Sequence, residues 1–215
     1  MSESDSSNLI KYQDITSPCD EYELARDGIT LKRNFLTKKK LDLLNTELDN
    51  LFEIPSFNGR ISCKLLWKKN SIGYVKRILI PELTVKSINL LELAVDINNL
   101  LLEQNKLKTN PNCLAALEII EEINPTPLFW HTDNREDMYR AFIYLKGGGI
   151  DSGAFQYMVG THKRDYYIEH KLSKTEINQL SNKIYIAKGN PGDLVIADTV
   201  GFHANKPRQE KRRII

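Results

Sequence analysis

The chain has 215 residues, of which 41% are hydrophobic and 27% charged, with a formal net charge of +2. This length and balance are typical of one globular domain, and no apolar run is long enough to span a bilayer. The near-neutral charge argues against a nucleic-acid partner, which would require a basic surplus clustered on one face.

The N-terminal sequence and the spacing of the cysteines indicate the cellular compartment. The polar start MSESDSSN lacks the apolar core of a secretory signal. The three cysteines, Cys19, Cys63 and Cys113, are far apart and form no CxxC pair, a spacing that favours reduced thiols over disulfides or a zinc site. We therefore expect a cytoplasmic protein.

Along the chain, residues 1–20 are rich in Ser, Asp and Asn and are expected to form a flexible tail. One domain is expected over 21–215. It opens with a short strand at Ile29, Leu31 and Phe35, after the turn at Asp27-Gly28.

Two amphipathic helices are predicted next. Leucines recur at helical spacing over 38–52, and a second helical stretch over about 84–105 follows Pro81. In the second helix we expect the core-facing stripe to comprise Ile88, Leu91 and Val95, reinforced by Leu90, Ala94, Ile97 and Leu101.

After residue 112 the pattern changes to short apolar runs separated by turn signals such as Gly147-Gly148-Gly149 and Asn190-Pro191-Gly192. The predicted strands are 113–122, 127–132, 139–146, 153–158, 184–187, 193–198, 202–205 and 211–215. Many short strands at this spacing indicate an antiparallel sandwich or barrel. Helices first and strands afterwards is an α+β order, in which the N-terminal helices buttress one sheet.

Candidate metal ligands occur at two of these strands. His131 and Asp133 stand two residues apart at a predicted strand end, so both side chains can point to the same face. His203 follows the turn and buried strand that begin at Gly192. Two histidines and one carboxylate on neighbouring strands can form the facial triad of non-haem iron(II) oxygenases.

The chain offers two other histidines as a rival third ligand. His162 and His170 lie in the polar insertion 161–182, which interrupts the strands. We interpret His162 as a turn residue and His170 as a surface or lid residue. The insertion itself is expected to form a mobile lid over the site.

A basic cluster, Lys206-Pro207-Arg208 and Lys211-Arg212-Arg213, ends the chain. If the last strand pairs into the barrel, one of the two final arginines points inward, because adjacent strand residues face opposite ways. A guanidinium can grip a carboxylate with two parallel hydrogen bonds.

In five places, the sequence resembles the phytanoyl-CoA dioxygenase family of iron(II)/2-oxoglutarate oxygenases. The matching segments are Asp27–Leu36, Trp130–Asp133, Gly153–Gln156, Gly160–Lys163 and Gly192–His203. The resemblance covers most of the chain from about residue 22. It departs from the family pattern at Val159, where proline is usual, and in a final strand that stops two residues after Arg213.

This resemblance implies a double-stranded β-helix, or jelly roll, that holds iron(II) through His131, Asp133 and His203 and uses 2-oxoglutarate as co-substrate. Arg213, ten residues after His203, looks like the family's 2-oxoglutarate arginine, and Asn205 replaces a hydroxyl at another co-substrate position. The implied activity is hydroxylation of a small molecule. Asp133 favours it over halogenation, which needs that ligand position empty.

Two other functions stay open at the level of sequence. One is a metal-binding β-helix protein without oxygenase activity, and formation of succinate would separate it from the enzyme. The other is a nucleic-acid demethylase, which the near-neutral charge disfavours. The substrate itself cannot be named, because pocket residues lie on loops.

Overall fold

The structure is a computed structural model that describes residues 22–61, 63–66, 73–105, 117–123, 129–133, 139–163, 172–205 and 212–215. The expected tail, Cys19, Cys113, His170 and the middle of the expected lid lie outside the described residues. The division into a tail and one domain over 21–215 stays a prediction.

The described residues form helices, strands and one short 3-10 helix at Ser181–Lys183. The helices are α1 Leu24–Asp27, α2 Lys38–Glu53, α3 Pro81–Thr84, α4 Ile88–Asn105 and α5 Lys174–Gln179. The strands are β1 Ile29–Lys32, β2 Ser56–Phe57, β3 Arg60–Ile61, β4 Cys63–Leu66, β5 Gly73–Leu79, β6 Leu117–Ile123, β7 Tyr139–Lys146, β8 Phe155–Met158, β9 Ile184–Ala187, β10 Leu194–Asp198, β11 His203–Asn205 and β12 Arg212–Ile214.

Two antiparallel sheets carry the fold. The large sheet has the strand order β1-β10-β7-β12-β6-β5-β4, the small one β11-β8-β9, and β2 and β3 form a separate ribbon. Side chains of both sheets meet in one apolar cluster, to which the large sheet contributes Tyr144 and Val195 and the small sheet Phe155, Tyr157 and Tyr185. This arrangement confirms the predicted α+β fold with a jelly roll.

Alternation along β10 shows how the strands separate two cores. Leu194 and Ile196 pack toward the helices, whereas Val195 and Ala197 pack between the sheets. A strand buried on both faces reads as a continuous apolar run. The turn before it is held by Asp193, whose carboxylate accepts hydrogen bonds from Asn34 N at 2.8 Å and Asn190 N at 2.8 Å.

The N-terminal helices cover the outer face of the large sheet, as predicted. Thr37 caps α2 by accepting a hydrogen bond from Lys40 N at 3.3 Å. Leu44 and Leu48 of α2 are fully buried and pack in one cluster with Ile143 of β7. No helix among the described residues combines the length and apolar composition needed to cross a bilayer.

The predicted core face of α4 is wrong in part. Ile88, Leu91 and Val95 are 67%, 43% and 57% exposed, and the buried residues are Leu90 and Leu93. The helix is apolar around most of its circumference, so that two stripes compete for the core. Only the position of the helix on the sheet decides between them.

Candidate metal centre

His131 and His203 form a directly opposed antiparallel pair at one end of the small sheet. His131 N donates to His203 O at 3.1 Å, and His203 N donates to His131 O at 2.9 Å. Asp133 is tied to the turn after β10, because its N donates to Thr199 O at 2.9 Å. Backbone hydrogen bonds therefore bring the three predicted ligands to one place.

Both imidazole rings are oriented by backbone carbonyls. His131 Nδ1 lies 2.9 Å from Phe129 O, and His203 Nδ1 lies 3.0 Å from Gly201 O. Since a carbonyl oxygen only accepts, each Nδ1 carries the hydrogen, which leaves the Nε2 lone pair for a metal. Burial lowers the pKa of His203 to about 4, so this ring is neutral near pH 7.

The carboxylate of Asp133 completes the group. One donor atom from each of His131, Asp133 and His203 lies within 4.8 Å of the others. Asp133 Oδ2 is 4.0 Å from His203 Nε2. This oxygen is buried and accepts no hydrogen bond, although Arg140 Nη2 lies 2.9 Å away and forms an ion pair with it. A buried oxygen without a hydrogen bond, facing a neutral imidazole nitrogen, fits the donor set of a divalent metal.

Aromatic side chains line the space next to the ligands. The Phe155 ring stacks on His203 with centroids 5.6 Å apart, and the Phe142 ring meets Phe155 edge to face at 4.8 Å. These rings exclude water from one side of the site, which strengthens electrostatic interactions there.

The turn before His203 requires glycine. A Cβ at Gly201 would overlap the Tyr157 hydroxyl, which is held by its hydrogen bond to Asp198 O at 2.8 Å. We expect Gly201→Ala to lower the free energy of unfolding by about 1–3 kcal/mol, the usual cost of overpacking a core. It should also weaken metal binding by displacing His203. Urea denaturation measures the change in stability. Gly149→Ala is the control, because a Cβ at Gly149 meets nothing within 4 Å. Equal stability of the two variants would contradict the prediction.

The two final arginines point to opposite sides of β12. Arg213 is 1% exposed and faces α2, where it donates to Asn45 O at 3.2 Å and Asn45 Oδ1 at 3.3 Å. Its Nη2 is 2.5 Å from Asp49 Oδ1. The structure therefore does not bring Arg213 to the metal ligands, and this placement does not support its expected role as the co-substrate arginine.

Arg212 occupies the other face of β12, between the sheets. It is 4% exposed, and its Nη1 donates to Gly153 O and, at 3.4 Å, to Asn205 Oδ1. Asn205 and His203 share one face of β11, because they are two residues apart on a strand. Asn205 thus lies about 7 Å along the strand from the candidate ligand His203, and Arg212 contacts its side chain.

The described ends of the insertion 161–182 are anchored. Thr161 Oγ1 accepts a hydrogen bond from Phe202 N at 2.9 Å, and Leu172 N donates to Trp130 O at 3.1 Å. His162 Nε2 lies 3.3 Å from Ala25 O and is not among the candidate ligands. This agrees with its interpretation as a turn residue, whereas the mobility of the lid stays a prediction.

Sequence reasoning missed Arg140. Its alternation with Phe142 and Tyr144 on β7 places it on the face between the sheets, and this much is readable from the sequence. Its ionic partner Asp133 could be found only in the tertiary structure.

No protein-family model and no curated protein matches the chain. Solved structures do match it. HygX from Streptomyces hygroscopicus, with nickel, 2-oxoglutarate and hygromycin B bound, is 14% identical over 89% of this chain and 82% of its own, with a TM-score of 0.58. SnoK, a non-heme alpha ketoglutarate dependent carbocyclase from nogalamycin biosynthesis, is 14% identical over 89% of this chain and 79% of its own, with a TM-score of 0.62.

A prolyl-4-hydroxylase from Pseudomonas putida is 15% identical over 89% of this chain and 91% of its own, with a TM-score of 0.52. At such identities the likeness shows a shared fold alone. The narrower resemblance to the phytanoyl-CoA dioxygenase family stays a prediction.

Proposed function

We propose that this chain is an iron(II)- and 2-oxoglutarate-dependent oxygenase that hydroxylates a small molecule. One observation carries the proposal: the donor atoms of His131, Asp133 and His203 lie within 4.8 Å of one another. Two histidines and one carboxylate are the ligand set of non-haem iron(II) oxygenases. Similarity of the fold to 2-oxoglutarate-dependent enzymes adds support.

In this proposal, the Nε2 atoms of His131 and His203 and one carboxylate oxygen of Asp133 hold the iron. The carbonyls of Phe129 and Gly201 keep both rings in the correct tautomer. When bound, iron(II) and 2-oxoglutarate supply the oxidation of a C–H bond by dioxygen, with succinate and carbon dioxide as co-products. The rings of Phe142 and Phe155 keep water from one side of the reacting groups.

For the distal carboxylate of 2-oxoglutarate, we assign Arg212 in place of Arg213. Support comes from the orientation of Arg212 toward the space between the sheets and from its contact with Asn205. A planar guanidinium binds a carboxylate through two parallel hydrogen bonds. The amide of Asn205 is a second group within reach of the same anion.

The test is turnover of 2-oxoglutarate by the iron-loaded protein. We expect succinate to form with iron(II), ascorbate and dioxygen, and to increase when a panel of small metabolites includes the substrate. Mass spectrometry of that metabolite should show a gain of one oxygen atom. If iron and 2-oxoglutarate bind but no succinate forms under any of these conditions, the metal-binding protein without oxygenase activity becomes the better description.

A further inference from the structure

Arg140 stands at the open end of the space between the sheets. Its cross-strand partner on β10 is Ala197, which packs between the sheets, and Phe142 is the next inward residue of β7. The Arg140 side chain is nevertheless 51% exposed. Its guanidinium therefore reaches both the candidate metal ligands and the solvent.

Arg140 contacts Asp133 through the carboxylate oxygen that faces His203. Arg140 Nη2 is 2.9 Å from Asp133 Oδ2, and the same Oδ2 is 4.0 Å from His203 Nε2. Adjacent ligands of one six-coordinate ion, at about 2.1 Å from it, are about 3 Å apart. For Oδ2 to bind the same metal as His203, it would have to come closer to His203, and the positive charges of Arg140 and the metal would then compete for it.

We propose that Arg140 is a specificity-determining residue, which releases Asp133 to the metal and then binds an anionic oxygen group, carboxylate or phosphate, on the substrate. This inference rests on the proposed function. A half-exposed guanidinium has five N–H donors in a rigid fork, and a bound divalent cation beside it makes an intervening anion more favourable. Phe129, 64% exposed and two residues before His131, adds an aromatic surface next to the ligands.

The competing interpretation is that Arg140 only positions the Asp133 carboxylate for the metal. The two roles predict opposite effects on metal affinity. If Arg140 competes for Oδ2, removing its charge strengthens metal binding; if it orients the carboxylate, removing it weakens binding, as loss of a supporting partner usually does.

The first measurement is a cobalt(II) titration of the protein, followed by the visible absorption of the bound ion. We expect Arg140→Gln to bind cobalt(II) about three- to tenfold more tightly than the wild type, because a repelling charge is removed. Arg140→Lys should stay close to the wild type. Arg60→Gln is the matched control, since Arg60 is also a half-exposed arginine paired with a carboxylate, Glu82, away from the candidate metal ligands.

The second measurement uses the cobalt(II)- and 2-oxoglutarate-loaded protein with three probes: phenylacetate, phenyl phosphate and neutral phenylacetamide. Paramagnetic relaxation of the probe protons reports their approach to the cobalt. We expect at least one anionic probe, but not the amide, to be relaxed by the wild type, and this effect to be lost in Arg140→Gln and retained in Arg60→Gln. Which anion responds identifies a carboxylate or a phosphate.

Two results would overturn the role proposed for Arg140 but leave the proposed function standing. They are weaker cobalt(II) binding by Arg140→Gln and equal relaxation of anionic and neutral probes by the wild type. If 2-oxoglutarate does not change the absorption of the bound cobalt(II) in the wild type, the proposed function fails, and this inference fails with it.

Discussion

Replacing His131 or His203 with alanine is expected to abolish specific binding of a divalent metal and all metal-dependent turnover of 2-oxoglutarate. Each ring presents Nε2 to the site, since its Nδ1 is held by a backbone carbonyl. Loss of a group that merely supports a ligand costs about 10- to 100-fold in metal affinity, so loss of the ligand itself should cost more. Equilibrium dialysis with iron(II) or cobalt(II), together with a succinate assay, measures both effects.

The control for these variants is His162→Gln. His162 lies near the turn that leads to His203, where a Cβ at Gly201 would approach its backbone N at 3.1 Å, but it is not among the candidate ligands. Metal binding should persist in this variant as long as it folds. Full metal-dependent activity in His131→Ala or His203→Ala would refute the assignment of these ligands. Loss of metal binding by a folded His162→Gln variant would show that His162 is a ligand.

Arg212→Ala is expected to raise the dissociation constant of 2-oxoglutarate at least about thirtyfold, whereas Arg213→Ala should change it little. Removing one partner of a buried, hydrogen-bonded charge pair costs roughly 2–5 kcal/mol, and each 1.4 kcal/mol corresponds to about tenfold in affinity. Isothermal titration of the nickel-loaded proteins with 2-oxoglutarate measures this without turnover. Metal content is determined in parallel, so that loss of metal is not mistaken for loss of co-substrate.

Arg213→Ala has an expected result of its own. The Arg213 guanidinium is packed over the Phe52 ring at 5.5 Å and pairs with Asn45 and Asp49 of α2. Its loss leaves hydrogen-bond acceptors of α2 without their donor, and we expect a lower melting temperature with unchanged affinity for 2-oxoglutarate. The opposite pattern, in which Arg213→Ala loses the co-substrate and Arg212→Ala does not, would return the anchoring role to Arg213.

Much of the fold could be predicted from local patterns. The leucine spacing of 38–52 predicts α2, which the structure places at Lys38–Glu53. The apolar run that follows Gly192-Asp193 predicts a buried strand, which is β10. Such patterns are reliable because burial demands a period of two in strands and about 3.6 in helices.

Local sequence patterns predict the candidate site only where its residues belong to a short motif. His131 and Asp133 are two residues apart, so that one strand end presents both, and the turn before His203 places it on the neighbouring strand. Two histidines and one carboxylate are the ligand set of non-haem iron(II) oxygenases, and this predicts that the three side chains converge. Convergence of His131, Asp133 and His203 could thus be predicted from the sequence, although their role as metal ligands stays a proposal.

Tertiary structure decided what depends on register and on proximity between distant segments. A shift of one residue exchanges the two faces of a strand, so the spacing between His203 and β12 could not tell Arg212 from Arg213. Because α4 is apolar around most of its circumference, its sequence does not show which face is buried. The position of the helix on the sheet decides this. Arg140 meets Asp133 because β7 begins beside the end of β10, and the turn after β10 also holds Asp133. No pattern within either segment encodes that approach.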